Sequence, residues 1–277
     1  MKTIIQYCLT LVALSVVLSL FPRNSEAFRD IPENNLGYPV LITSDTGGSA
    51  SGFFLNDGKS VFVITARHVF YPPNGKRAFR QKISCLSYSK DPSDTTANHF
   101  SLDLVALANS GDFKMHGLED VAIIRIASLD EEKLKFVQGV DIQSRSKQGI
   151  VSVAMKYVKT FDQVLVANEV FLFGYPVSLG LKKIPQLDYK KPLLRKGIIA
   201  GKNETLHTLI LDVPSYGGNS GGPVLEVESD GPEKKFRIVG VAAEFVPSMV
   251  QGVPINSGYS VAVSMNPVLD LVSSFTD

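Results

Sequence analysis

Disulfides are the first thing this chain lacks. It has two cysteines in 277 residues, and Cys8 falls in an apolar N-terminal segment expected to be removed. Cys85 then stands alone, so no internal disulfide can form. Its neighbours, Lys82-Ile83-Ser84 and Leu86-Ser87, read as a strand, which argues against Cys85 as a nucleophile. An excess of one charge is also missing. Losing Lys2, Arg23 and Glu26 with the N-terminal segment takes 28 basic and 27 acidic residues to 26 of each. A net charge of zero argues against a general binder of nucleic acid or anionic membrane. No later apolar run is long enough to span a bilayer. No internal repeat stands out. Histidine is scarce: His68, His99, His116 and His207 are the four. The last three have no metal-ligand spacing, and no metal or cofactor is expected.

The N-terminal segment reads as a signal peptide. Met1-Lys2 leads into an apolar stretch over residues 7–21, followed by Pro22 and a polar piece ending Ser25-Glu26-Ala27. Small residues at 25 and 27 fit a signal-peptidase site, with Phe28 as the mature N-terminus. The expectation is therefore a signal peptide over 1–27, a secreted or periplasmic protein, and no stable membrane span after cleavage. An uncleaved anchor is the alternative.

The most informative stretch is Gly217-Gly218-Asn219-Ser220-Gly221-Gly222-Pro223-Val224. It reads as a nucleophilic serine on a tight, glycine-rich loop. Such a loop can turn successive backbone N–H groups toward one point, where an oxyanion would sit. A serine hydroxyl needs a base, and the base needs an orienting group. His68 ends the β-branched run Val61-Phe62-Val63-Ile64-Thr65-Ala66-Arg67-His68 and supplies the base. Asp120, in Leu118-Glu119-Asp120-Val121-Ala122-Ile123-Ile124, sits at the mouth of an apolar strand and supplies the acid. Asp103, before Leu104-Val105-Ala106-Leu107, is the rival, read as an outward residue within a strand.

These three segments resemble the trypsin-like, chymotrypsin-fold serine peptidases, closest in style to the bacterial HtrA/Deg branch. The matching motifs are Thr65-Ala66-Arg67-His68, Asp120-Val121-Ala122 and Gly218-Asn219-Ser220-Gly221-Gly222-Pro223, in the order His, Asp, Ser. The resemblance implies an all-β fold of two packed, six-stranded-type antiparallel barrels with a short C-terminal helix and the active site between the barrels. It implies a serine endopeptidase acting on peptides or proteins. The catalytic residues would be His68, Asp120 and Ser220, with the N–H groups of Gly218 and Ser220 as the oxyanion hole. A substrate pocket would be lined by Pro214, Ser215, Tyr216, Gly217, Ala243, Glu244 and Phe245. Pro214 stands where a trypsin has its acidic floor, so a Lys/Arg preference is not supported. A small or medium apolar residue is expected before the cut. Asn219 stands where the pancreatic enzymes carry the Asp that pairs with a new N-terminus, so no activation of that kind is expected. The lack of disulfides suits a bacterial enzyme of this type. No PDZ domain of the kind many HtrA proteins carry is expected after the second barrel.

The spacing of apolar runs and turns agrees with an all-β reading. Strands are expected at 38–43, 53–55, 60–65, 81–88, 101–108 and 121–126, with an Asp57-Gly58 hairpin turn. Residues 129–135 read as a helical turn or linker. A second set is expected at 150–158, 169–174, 193–200, 207–211, 223–227, 236–243 and 258–264, with Asn266-Pro267 opening a helix to 275. The peptidase domain then covers 28–277, with barrels at about 36–135 and 150–265. The lysine pairs at 182–183 and 190–191, with Arg195 and Lys196, read as a solvated basic loop. Two other classes of function remain open: a peptide-binding protein on a protease fold, and a chaperone-like holder of unfolded chains. Oligomeric state is not legible.

Overall fold

The computed structural model describes residues 31–44, 47–71, 81–89, 94–130, 133–176, 184–188, 190–230 and 233–275. The expected signal segment and the Lys182-Lys183 pair lie outside the described residues. Among the described residues, no helix is long and apolar enough to cross a membrane.

The first ten strands form one curled sheet. They are β1 (Pro39–Ser44), β2 (Ser49–Asn56), β3 (Ser60–Thr65), β4 (Lys82–Tyr88), β5 (Ala97–Asp103), β6 (Phe113–Met115), β7 (Ala122–Asp130), β8 (Lys133–Phe136), β9 (Val140–Ser144) and β10 (Val153–Ala154). Their hydrogen-bonded order is β6-β7-β3-β2-β1-β4-β5-β9, with β8 added to β7 and β10 to β2. Strand β5 alternates buried and half-buried residues, so Phe100 and Leu102 face one core. There they meet Val40, Phe54, Val63 and Ile124. Each such side chain contributes about 1.5–3 kcal/mol through burial. Strand β3 is buried along its whole length, as its unbroken apolar run requires.

The last six strands close into a barrel, β11-β12-β13-β16-β15-β14. They are β11 (Glu169–Gly174), β12 (Leu193–Asn203), β13 (Thr208–Asp212), β14 (Pro223–Asp230), β15 (Glu233–Val250) and β16 (Val253–Ser264). A separate core of Leu172, Ile199, Leu209, Val224 and Val239 fills it. Among the described residues there are two α-helices, α1 (Leu104–Asn109) and α2 (Asn266–Ser273). The second half is thus a closed six-stranded barrel, whereas the first is a sheet whose edges are β6 and β9.

Several local expectations need correction. Residues 101–108 do not remain a strand: the chain leaves β5 at Asp103, whose carboxylate caps α1 by accepting from Val105 and Ala106 N–H at 3.1 and 3.0 Å. A short apolar run does not distinguish a strand from a helix, and here the cap decides. Instead of a helical turn, Leu129 and Asp130 of β7 pair with Leu134 and Lys133 of β8. Of 150–158 only Val153–Ala154 is strand, a parallel bridge to β2, before a turn at Met155–Tyr157. The first sheet therefore runs past the limit expected at 135. Strand β9 has no counterpart among the expected strands: its alternation, Val140-Asp141-Ile142-Gln143, is short, and the strand is almost wholly exposed. The β15–β16 hairpin extends beyond its expected ends, to Val250 and Val253.

The Asp57-Gly58 turn forms as expected, with Asp57 accepting from Lys59 and Ser60 N–H at 2.8 and 2.7 Å. Pro267 lies in the first turn of α2, but Asn266 does not cap that helix. Its Oδ1 accepts from Phe161 N–H at 2.8 Å and so ties α2 to the turn before β11.

Candidate active site

Strand register brings the histidine and the acid together. In the β3–β7 pair Thr65 lies opposite Ala122. His68 follows Thr65 by one turn, in the 3-10 segment Arg67–Phe70, and Asp120 precedes Ala122 by two residues. Both therefore emerge at the same end of the sheet. Asp120 Oδ1 accepts from His68 N–H at 2.8 Å, and Oδ2 meets His68 Nδ1 at 2.6 Å. An ionised carboxylate only accepts, so Nδ1 carries a proton, and in the neutral imidazole Nε2 is left as the acceptor. Asp103, spent on its helix cap, has no part in this pair.

The serine arrives from the second half of the chain on the loop into β14. Gly221 sets how closely that loop approaches the first sheet. Its φ is +86°, and a Cβ there would lie 2.1 Å from Thr65 Oγ1 and 2.2 Å from Ser51 O. Only glycine fits such a contact. Three N–H groups of the loop are engaged: Asn219 to Tyr216 O, Gly221 to Ala242 O and Gly222 to Asn219 O. Among the described residues, the N–H groups of Gly218 and Ser220 have no protein acceptor. Ser220 Oγ donates to Ala243 O at 3.2 Å rather than to His68. Asn219 is buried and its Oδ1 has no hydrogen-bond partner, packed against Gly174 where no Cβ would fit.

Two cavities meet at His68, Gly217 and Ser220. One, of about 390 Å³, is bounded by Ile42, Val69, Tyr71 and Ile83 from the first sheet. The other, of about 700 Å³, has Ser215, Tyr216, Ala243, Glu244 and Phe245 in its lining. Pro214 is not part of its lining, because it directly follows buried Val213 at the barrel wall. Thr208, Val261 and Val263 line the cavity instead, unforeseen. Val261 and Val263 share one face of β16, and Thr208 reaches them through its pairing opposite Val263. Such pairing between distant segments has no local signal. Glu244 is exposed at the rim.

The remaining histidines take other parts. His116 Nδ1 accepts from Glu119 N–H at 2.9 Å, and His207 lies in a turn at φ +48° with its ring 4.9 Å from Phe161. Within the basic stretch, Arg195 lies over the Tyr216 ring and Lys196 pairs with Glu169.

The sheet and the barrel thus bring an Asp–His pair beside a glycine-framed serine loop. The trypsin-like peptidase domain model matches residues 50–231, and the chain belongs to that family. Many solved structures are similar to this chain, and two illustrate the shared fold. One is the HtrA-type protease AlgW, a serine-to-alanine variant with a tripeptide. It has 12% sequence identity and a TM-score of 0.50, over 89% of this chain and 63% of that one. This chain thus spans less than two thirds of that AlgW chain. The other is Deg5, with 17% identity and a TM-score of 0.50, over 88% of this chain and 95% of that one. No curated protein matches in sequence.

Proposed function

We propose that this protein is a secreted or periplasmic serine endopeptidase working through Ser220, His68 and Asp120. The observation that carries the reading is the pairing of Asp120 with both N–H groups of His68, beside a serine loop whose Gly218 and Ser220 N–H groups are uncommitted. Ser220 Oγ attacks the peptide carbonyl carbon while His68 Nε2 takes its proton. The carbonyl oxygen becomes an oxyanion held by the Gly218 and Ser220 N–H groups. Collapse expels the amine, which receives the proton from His68 and leaves an acyl-enzyme. Water, deprotonated by His68, then releases the acid and restores Ser220. Asp120 stabilises the imidazolium throughout. Each oxyanion donor accounts for about 10²–10³ in turnover.

The cavity walls of Ala243, Val261 and Val263 suit an apolar residue before the cut. The signal-like N-terminus supports export. Labelling residues 28–277 with a fluorophosphonate, followed by casein cleavage, tests the activity. Labelling that vanishes in Ser220→Ala supports it, and a folded wild-type protein that stays unlabelled overturns it.

One observation favours a second reading, a peptide binder or holder with latent proteolysis. Ser220 Oγ donates to Ala243 O, so it must rotate before His68 can take its proton. Catalytic hydrogen bonds are often loose without substrate. Protection of casein from aggregation that survives Ser220→Ala would identify the holding role.

A further inference from the structure

Arg67 immediately precedes His68, and its side chain runs to the loop that carries Asp120. Nη1 donates to the carbonyls of His116 at 2.9 Å and Gly117 at 3.0 Å, and Nη2 donates to that of Leu118 at 3.3 Å. Three successive carbonyls are thus held by one guanidinium. The loop has little packing to hold it otherwise. Leu118 is 85% exposed, and a Cβ at Gly117 would meet nothing within 4 Å. Its internal bonds shape it but do not fasten it to the histidine turn. His116 N–H donates to Val121 O, Glu119 N–H to His116 Nδ1, and Val121 N–H to Glu119 O, all at 2.9 Å. Among its fastenings to the turn are the three Arg67 bonds and the two that Asp120 makes with His68.

We propose that Arg67 is a positioning residue for the acid–histidine pair. It holds residues 116–118 so that both oxygens of Asp120 reach the backbone N–H and Nδ1–H of His68. The proposal rests on the catalytic reading above. Arginine suits the task because its planar fork presents several donors in fixed directions. A lysine ammonium is a point charge on a flexible stem and cannot span three carbonyls in that geometry. The partners are carbonyls and not carboxylates, so the fork geometry, more than the charge, is what the loop uses. Arg67 acts through Asp120 and touches no reacting atom in this arrangement.

The test compares residues 28–277 as wild type, Arg67→Ala and Arg67→Lys. Three quantities are read: kcat and KM on a fluorogenic peptide, the rate of fluorophosphonate labelling, and the downfield proton resonance of His68 Nδ1–H. The resonance is assigned by its loss in His68→Ala. In Arg67→Ala, kcat and the labelling rate are expected to fall about 10- to 100-fold with KM unchanged, because small misplacements of catalytic groups cost that much. The resonance should move upfield and broaden. Arg67→Lys should recover only part of both. A rise in KM with kcat retained would make Arg67 a substrate contact and overturn the proposal. So would full recovery in Arg67→Lys, which would assign the effect to charge. If the wild type neither labels nor cleaves, the catalytic reading fails, and the resonance alone then decides the role of Arg67. Loss of the resonance in Arg67→Ala supports positioning. An unchanged resonance, or none in the wild type, overturns it.

Discussion

Ser51, on β2 of the first sheet, holds the backbone of Ser220 from across the cleft. Its N–H donates to Ser220 O at 2.9 Å, and its hydroxyl donates to Gly218 O at 2.6 Å. The same hydroxyl accepts from Tyr175 N–H at 2.9 Å, and Ser51 is fully buried. Fixing the Gly218 and Ser220 carbonyls orients the 218–219 and 220–221 peptide planes, which flank the peptide that carries the Ser220 N–H.

Ser51→Ala should therefore loosen the serine loop without removing any proposed catalytic group. It leaves Gly218 O and Tyr175 N–H without their partner, at a cost of about 1–3 kcal/mol for each group left buried and unsatisfied. Fluorophosphonate labelling is expected to slow about 10- to 100-fold, since oxyanion donors act only when well placed. Labelling at the wild-type rate in a destabilised variant would show that the loop keeps its shape unaided.

The two rival aspartates should separate cleanly. Asp120→Asn cannot stabilise an imidazolium as a carboxylate does, and it favours the wrong histidine tautomer. Labelling should fall about 10⁴-fold, the loss that the same change causes in a Ser-His-Asp triad of the trypsin type. Asp103→Ala removes only the α1 cap. It should lower stability by about 1 kcal/mol and leave labelling intact. Urea denaturation and labelling rate, measured on both variants, check the pair.

Gly221→Ala should be more damaging than its single methyl suggests. The new Cβ would fall within 2.2 Å of Thr65 Oγ1 and Ser51 O, and the backbone sits at positive φ. The loop must retreat from the turn bearing His68. Loss of labelling in a protein whose far-ultraviolet circular dichroism is kept is the expected result. Wild-type labelling would refute the close approach.

A buried ionic cluster braces the barrel. Lys159 Nζ meets Glu226 Oε2 at 2.5 Å and also contacts Glu228, and Asn168 donates to Glu226 at 2.7 Å. Burial pulls the Lys159 ammonium toward neutrality, but the bonds from Glu226 and Glu228 prevail and hold its pKa above the ordinary lysine range. A raised folded-state value means that this contribution is fully present below the unfolded lysine value. It is lost only as pH rises through the folded one. Lys159→Met, which leaves Glu226 buried and uncompensated, should cost about 3–5 kcal/mol. Wild-type stability should not depend on this pair between about pH 7 and 9, a range that lies below the unpaired lysine value. Denaturant melts across pH test both statements.

Cys85 should be silent in the folded protein. It is fully buried, and burial pushes its thiol up to about 12. The reactive thiolate is therefore scarce at about pH 8 and shielded as well. Iodoacetamide should modify it only after denaturation, and rapid modification of the native protein would contradict its place in the core.

What the sequence by itself determined was local: the buried strand at Ser60–Thr65, the Asp57-Gly58 turn, the place of His68 and Asp120 at the ends of apolar runs, and that of Ser220 in a glycine-rich loop. These are legible because side-chain period and turn chemistry act between near neighbours. The tertiary structure decided the rest. It closed the second half into a barrel and left the first as an open sheet, since closure depends on which edges pair. It turned Asp103 into a helix cap, brought Thr208 and Val263 to the same cavity wall, and set Arg67 against three carbonyls nearly fifty residues away. Each of these rests on pairing or donor geometry between segments far apart in the chain, which composition and periodicity do not encode.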